Sequence, residues 1–295
     1  MKTDPVKVEV LVKGRYLVGE CPIWRAAENA LYWVDIFGHA IHRLDLSSGR
    51  ASEWPMPEDI GCFGLYANGD MLVALRSGIH RYDPSSRQLS LLAAADYDTA
   101  TRRFNDGRCD ARGRFWVGTM YEPRNASLGS LYCFDPAKGL SIKLPDSVIV
   151  ANGMAFSPDE RSFYISDSTA HKVWVHDFDP DTGNLSNRRL IIEATEAMGR
   201  PDGAAIDSDG GYWSAMIGKV VRFAPDGRLD RVIEVPARRV TMCAFGGAAM
   251  NQMFITTACS GYTDEDFKRD PLAGSIFVCR PGVTGIPEPV VAEIQ

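Results

Sequence analysis

Apolar and polar residues alternate at period two along most of this chain, in short runs cut by turn residues. Such alternation predicts half-buried β-strands rather than helices. One kind of run recurs six times, aromatic or apolar at its centre and small or polar at its end. The copies are Leu31-Tyr32-Trp33-Val34-Asp35, Met71-Leu72-Val73-Ala74, Phe115-Trp116-Val117-Gly118, Phe163-Tyr164-Ile165-Ser166-Asp167, Tyr212-Trp213-Ser214 and Met253-Phe254-Ile255-Thr256. Each is followed by a second alternating run, such as Ala40-Ile41-His42-Arg43-Leu44-Asp45 or Lys172-Val173-Trp174-Val175-His176-Asp177. Turn sequences such as Asn68-Gly69-Asp70 and Ser157-Pro158-Asp159-Glu160 precede most of the anchor runs. Gly and Asn permit positive φ there, and Pro fixes φ near −65°.

Aligning Trp33, Leu72, Trp116, Tyr164, Trp213 and Phe254 gives steps of 39, 44, 48, 49 and 41 residues. Several short strands repeated at roughly 40–50 residues are the mark of a β-propeller. The reading is an all-β, six-bladed β-propeller with a central metal site, occupying residues 1–295 as a single domain. The apolar stretch Val6 to Val12 precedes the first full unit and has no anchor of its own. It is expected to add a strand to the last blade and so close the ring.

Stepping back 11 to 13 residues from each anchor lands on Glu20, Gly61, Asn105, Asn152, Asp202 and Thr241 or Met242. In a radial arrangement these positions converge on one axis. Glu20, Asn152 and Asp202 then offer two carboxylates and an amide oxygen, the donors that a hard divalent cation selects. Two carboxylates nearly neutralise such an ion, and three protein ligands leave positions open for a substrate. Asn105 shares the register, and Arg103 lies two residues before it. Residues two apart in an extended chain point the same way, so both are candidates for substrate contact.

Composition narrows the field. The net charge is −6 with scattered Lys and Arg, which argues against a nucleic-acid partner. Pairs such as Arg188-Arg189 and Arg238-Arg239 read as solvated loop charges. No apolar run approaches the ~20 residues of a membrane span. Lys2, Asp4, Lys7, Glu9 and Lys13 interrupt any apolar signal core, so a cytoplasmic, monomeric protein with no membrane contact is expected. Of the seven cysteines, Cys21, Cys62, Cys109 and Cys243 recur just beyond the ring register and read as buried filler rather than thiolate ligands. The five histidines fall away from that register. Neither an H-E-x-x-H zinc motif nor a G-x-S-x-G nucleophile elbow occurs. Catalysis would therefore rest on carboxylates, amides and a metal.

Several motifs carry a family resemblance. They are Gly19-Glu20-Cys21-Pro22-Ile23-Trp24, Trp33-Val34-Asp35-Ile36, Arg103-Phe104-Asn105-Asp106-Gly107, Gly118-Thr119-Met120, Asn152-Gly153-Met154-Ala155-Phe156-Ser157-Pro158-Asp159 and Pro201-Asp202-Gly203. In order and spacing the chain resembles the regucalcin/gluconolactonase (senescence-marker-protein-like) family from near residue 8 to near residue 282. The resemblance implies one divalent cation held by Glu20, Asn152 and Asp202, with Ca²⁺ first and Zn²⁺, Mn²⁺, Mg²⁺ or Fe²⁺ chemically acceptable. It implies hydrolysis of a small sugar lactone to its aldonic acid, with Arg103 and Asn105 on the substrate. For that reaction Asp202 is the candidate catalytic base, accepting a proton from the attacking water. A water polarised by the cation is the alternative base. Some members also contact the substrate through an acidic residue three positions after the Gly-Thr-Met methionine. That position is Pro123 here, and the adjacent Glu122 becomes the candidate. Two other functions fit the same features: a metal-dependent phosphotriester or aryl-ester hydrolase, and a calcium-binding propeller without catalysis.

Overall fold

The alternating runs form antiparallel strands, and the computed structural model describes residues 6–293. Strand β1 (Glu9–Val12) leads into a first sheet of β2 (Gly19–Arg25), β3 (Ala30–Asp35), β4 (Ala40–Asp45) and β5 (Ala51–Pro55). The second sheet holds β6 (Ile60–Leu65), β7 (Met71–Leu75), β8 (Gly78–Asp83) and β9 (Gln88–Ala94). The third holds β10 (Arg102–Cys109), β11 (Phe115–Tyr121), β12 (Gly129–Asp135) and β13 (Gly139–Val148). The fourth holds β14 (Ala151–Phe156), β15 (Ser162–Asp167), β16 (Lys172–Asp179) and β17 (Asn184–Glu193). In each, strands pair in chain order, and the anchor run is the second strand.

The last sheet departs from that pattern. It joins β18 (Ala204–Ile206), β19 (Tyr212–Phe223), β20 (Leu229–Gly246), β21 (Gln252–Thr257) and β22 (Ile276–Cys279), with β1 added at its edge. Counted by hydrogen-bonded sheets, the β-propeller has five blades, not the six that the anchor spacing predicts. The fifth and sixth units are fused because Pro236-Ala237-Arg238-Arg239 stays extended inside the 18-residue strand β20, with Arg239 still paired to Ile217. No loop divides the two units, so two anchors, Trp213 and Phe254, share one sheet.

The innermost strands nevertheless pack around an axis in the order β2, β6, β10, β14, β18, β20 and back to β2, the fused sheet supplying two of them. Closure is threefold. Strand β1 pairs antiparallel with β22, Glu9 opposite Val278 and Val10 opposite Phe277. Val18 bridges to Ala258, and Thr241 Oγ1 donates to the Gly19 carbonyl at 2.5 Å. Beyond β22 the chain crosses the far ends of the inner strands, bridging Gly285 to Asp207 and Val291 to Tyr66.

Packing explains why the anchors are aromatic. Trp33, Trp116, Trp213 and Phe254 are almost wholly buried between sheets, and each buried large apolar side chain contributes roughly 1.5–3 kcal/mol. Two of the tryptophans are also tied to acids. Trp116 Nε1 donates to Asp110 at 2.8 Å and Trp213 Nε1 to Asp207 at 2.7 Å, while Arg114 and Arg222 pair with the same carboxylates. All seven cysteines are buried and free. Among the described residues the one α-helix, α1 (Asp264–Arg269), is capped by Thr263, and no helix there is long and apolar enough to cross a membrane.

Candidate active site

Where the ring register falls, the innermost strands break their regular pairing. Bulges or irregularities lie between Glu20 and Ile23, Ile60 and Cys62, Phe104 and Gly107, Asn152 and Ala155, and Val240 and Met242. A bulge kinks a strand and re-aims its side chains. Cys21 and Gly153, directly after two of the ring residues, take positive φ of 48° and 59°. Gly61 is the register position without a side chain for a steric reason: a Cβ there would lie 2.5 Å from the Phe104 carbonyl oxygen.

Two anchor-strand acids hold the chain leading into the site. Asp35 accepts from the backbone N–H groups of Leu17 and Val18, both at 2.9 Å. Asp167 does the same for Ile149 at 2.7 Å and Val150 at 3.3 Å. Val18 and Val150 stand two residues before Glu20 and Asn152, so each acid sets the approach of a ring strand.

The result is a cavity of about 500 Å³ at one end of the axis, into which Glu20, Arg103, Asn105, Asn152 and Asp202 all face. Their side chains form a continuous relay. Arg103 Nη1 donates to Asn105 Oδ1 at 2.9 Å, Asn105 Nδ2 to Asn152 Oδ1 at 2.8 Å, and Asn152 Nδ2 to Asp202 Oδ1 at 2.6 Å. Asn152 Nδ2 also donates to Ser168 Oγ at 2.8 Å. Glu122 does not line the cavity. Its carboxylate accepts two bonds from Arg76, at 2.9 and 3.0 Å, and lies 3.7 Å from Arg103 Nε. That buried Arg103 nitrogen has no hydrogen-bond partner. Asp106, next to Asn105 and buried, accepts from the backbone of Gly107 and Met154.

The electrostatics are unbalanced at the floor. Glu20 is buried and takes one hydrogen bond, from the N–H of Cys21 at 3.1 Å. Burial, followed by the charges of Asp202 and Asp106, pushes its carboxyl well above the ordinary range. Burial likewise raises Asp202, against the opposing pull of Arg200 and with the Asp106 charge adding to the rise. Burial pushes Asp106 up to about 6. Neither Glu20 nor Asp202 forms an ion pair among the described residues. Buried carboxylates of like charge without a cation are costly.

That imbalance tests the donor set for a cation. Among the described residues no three His, Cys, Asp or Glu side chains converge on one point, so a site built of acids and thiolates alone is absent. Two carboxylates and the Asn152 amide do meet in the cavity, and an all-oxygen set of that kind suits a hard divalent ion. The residues present fit such an ion.

The residues matching the family description SMP-30/Gluconolactonase/LRE-like region run from 18 to 259 and contain every one of these side chains. The chain belongs to that family. It is 41% identical to a 6-deoxy-6-sulfogluconolactonase of Pseudomonas putida, over 97% of this chain and 98% of that one. It is 34% identical to the regucalcin of Gallus gallus, over 96% and 97% of the two chains. A crystal structure of regucalcin from Agrobacterium tumefaciens, described as a calcium-binding protein, superposes with a TM-score of 0.92 at 28% identity, covering 98% of each chain.

Several cavity residues follow one rule of spacing. Arg200 stands two residues before Asp202 and lines the cavity, as do Val18 before Glu20, Arg103 before Asn105 and Val150 before Asn152. The period-two argument made for Arg103 applies equally to Arg200. Arg238 and Arg239, expected to be solvated loop charges, are exposed but sit in the strand β20, where they line the cavity rim, as does the exposed Arg124 from the turn after β11. No histidine lines the cavity.

Proposed function

We propose that this protein is a divalent-cation-dependent sugar lactonase, adding water across the ester of an aldonolactone to release the aldonic acid. One observation carries the reading: a single cavity joins two carboxylates without an ion-pair partner among the described residues, Glu20 and Asp202, to Arg103 and Asn105 on its wall. The family relation and the lactonase name of the Pseudomonas putida relative support it. Held by Glu20, Asn152 and Asp202, a divalent cation would supply Lewis-acid polarisation of the lactone carbonyl, and Ca²⁺ suits the oxygen donors best.

The chain's own side chains account for the rest. Arg103, which lines the cavity with its Nη1 held by Asn105, orients the sugar hydroxyls together with Asn105. Glu122, held by Arg76, positions the Arg103 fork rather than the substrate. Asp202 takes the proton of the attacking water at Oδ2, since Oδ1 is engaged by Asn152, and returns it to the departing ring oxygen. Water oxygen bonds to the carbonyl carbon, the acyl–oxygen bond of the ring breaks, and the proton count balances. The pocket's apolar flank of Ile36, Phe37 and Val150 excludes bulk water from one side of the sugar.

The test is a pH-indicator assay on pentono- and hexonolactones, with spontaneous hydrolysis subtracted. It compares purified protein, chelator-stripped protein and protein reloaded with Ca²⁺, Mn²⁺, Zn²⁺, Mg²⁺ or Fe²⁺. Activity lost on stripping and restored by one cation is expected. Full activity after complete stripping overturns the cation requirement, and no activity with any cation overturns the lactonase reading.

A further inference from the structure

Buried serine and threonine hydroxyls in this fold donate to backbone carbonyls, as Thr241 does to Gly19 and Thr257 to Ser275. That is the ordinary way to satisfy a hydroxyl proton away from water. Among the described residues Ser130 and Ser168 depart from it. Ser130 Oγ only accepts, from the N–H of Asp146, and Ser168 Oγ only accepts, from Asn152 Nδ2. Of the two, Ser168 is the one that lines the cavity, and it is 5% exposed. Its backbone is held from both sides. Asp167 accepts from the N–H groups of Ile149 and Val150 and from those of Thr169 and Ala170. The Ser168 N–H itself donates to the Val150 carbonyl at 3.2 Å.

One contact fixes the direction of the bonds that reach it. Asn105 Nδ2 donates to the Ala151 carbonyl at 2.9 Å, and a carbonyl can only accept. The Asn105 amide is thereby oriented, its Nδ2 also meets Asn152 Oδ1, and Asn152 Nδ2 is left to face Ser168 Oγ. Every link therefore donates the same way, from the Arg103 guanidinium through Asn105 and Asn152 to Ser168. Each bond in such a chain polarises the next, so a hydroxyl that accepts at its end becomes a stronger donor. The chain starts on a cation and ends on a proton that no described residue takes up. We infer that Ser168 is a further catalytic residue, its Oγ–H donating to the lactone carbonyl oxygen as negative charge builds there. The inference rests on the lactonase reading, which sets the carbonyl beside Asn152 and Asp202. The Asn152 amide nitrogen that meets Ser168 also donates to Asp202 Oδ1 at 2.6 Å, so donor and base stand together. The proton stays on Ser168 throughout: it is shared with the oxyanion of the tetrahedral species and let go when the carbonyl re-forms. A donor fixed in place before reaction favours the transition state over the bound neutral substrate.

The test compares the native protein with Ser168→Ala and with Ser130→Ala, a buried hydroxyl that does not line the cavity. Three quantities are read in each: kcat and KM on the lactone turned over fastest in the assay above, calcium affinity of stripped protein, and calorimetric affinity of calcium-loaded protein for gluconate. Gluconate places an anionic oxygen at C1, where the oxyanion forms, and needs no turnover. In Ser168→Ala kcat is expected to fall about 10²-fold with KM within about threefold of native. Gluconate affinity should fall about tenfold, the cost of one hydrogen bond to a charged oxygen. Calcium affinity should stay within about threefold, because Asn105 and Asp202 still hold Asn152. Ser130→Ala should match the native protein in all three. Native gluconate affinity in Ser168→Ala overturns the inference, whatever kcat does. Calcium affinity that falls as far as kcat reduces Ser168 to a support for Asn152 and overturns it too. Gluconate affinity lost in Ser168→Ala, with no lactone hydrolysed by the native protein, upholds the donor and removes the lactonase reading instead. Neither hydrolysis nor gluconate binding in the native protein removes both.

Discussion

Asn152 donates from Nδ2 to Asp202 Oδ1 across 2.6 Å, although 50 residues separate the two along the chain. Its carbonyl edge meanwhile accepts from Asn105. One amide thus links a carboxylate at the cavity floor to the Arg103–Asn105 pair on the wall. Through it, the placement of the proposed cation ligands depends on residues that do not touch the cation.

That dependence predicts the behaviour of Asn105→Leu. The substitution removes the donor to Asn152 Oδ1 while leaving Glu20, Asn152 and Asp202 in place. Calcium affinity is expected to fall about 10- to 100-fold, the usual cost of losing a group that orients a ligand. Titration calorimetry on stripped protein reads it, and an affinity equal to the native value would dissolve the relay.

Asp202→Asn separates base from ligand. We expect kcat to fall about 10²-fold or more, with bound cation measured independently by elemental analysis. An unchanged kcat in protein that still holds its cation excludes Asp202 as the base.

Glu122 is predicted to act through Arg103. In Glu122→Gln the carboxylate charge 3.7 Å from Arg103 Nε is lost and the grip of Arg76 loosens. The expected outcome is a several-fold rise in KM with a smaller change in kcat and little loss of stability, since the side chain is partly exposed. A fall in kcat alone would instead place Glu122 in the chemistry.

Stability should hinge on the acids under the tryptophans. Asp207 is fully buried and takes bonds from Trp213 Nε1 and from Arg222. Removing it leaves the buried Trp213 Nε1 without an acceptor and Arg222 with Asp230 alone, so Asp207→Ala is expected to cost about 3 kcal/mol in urea unfolding. The exposed pair Arg112–Asp181 provides the control: Asp181→Ala should cost less than about 1 kcal/mol. Comparable losses in both variants would refute the assignment.

Acid sensitivity should follow His176. Burial, then the charges of Arg188 and Arg189, lowers its pKa from 6.5 to about 4, and its Nε2 is buried without a partner. The fold therefore holds the neutral ring. Its pKa is depressed on folding, so the unfolded chain binds the proton more readily between pH 6.5 and 4. This contribution to stability is complete above about pH 6.5 and is lost as pH falls toward 4. Melting temperature measured from pH 7.5 to 4.5 should drop less steeply in His176→Phe than in the native chain, and parallel curves would assign the acid loss elsewhere.

The repeat and the ring register were legible because both are local. Strand periodicity, anchor aromatics and turn residues act within a dozen residues, and each ring residue lies at a near-constant distance before its own anchor. From these, the sequence by itself determined the all-β propeller class, the closing N-terminal strand and the convergence of Glu20, Arg103, Asn105, Asn152 and Asp202. Tertiary structure decided the remainder. Whether the fifth and sixth units part depends on Arg239 finding Ile217, and no pattern within Pro236–Arg239 announces that pairing. Glu122 is drawn aside by Arg76, 46 positions earlier. Arg124, Arg200 and Arg238 stay exposed in the fold, and only the closed ring brings them around one opening. Periodicity reports which face of a strand is buried, whereas the partner of a long polar side chain depends on which distant strands become neighbours.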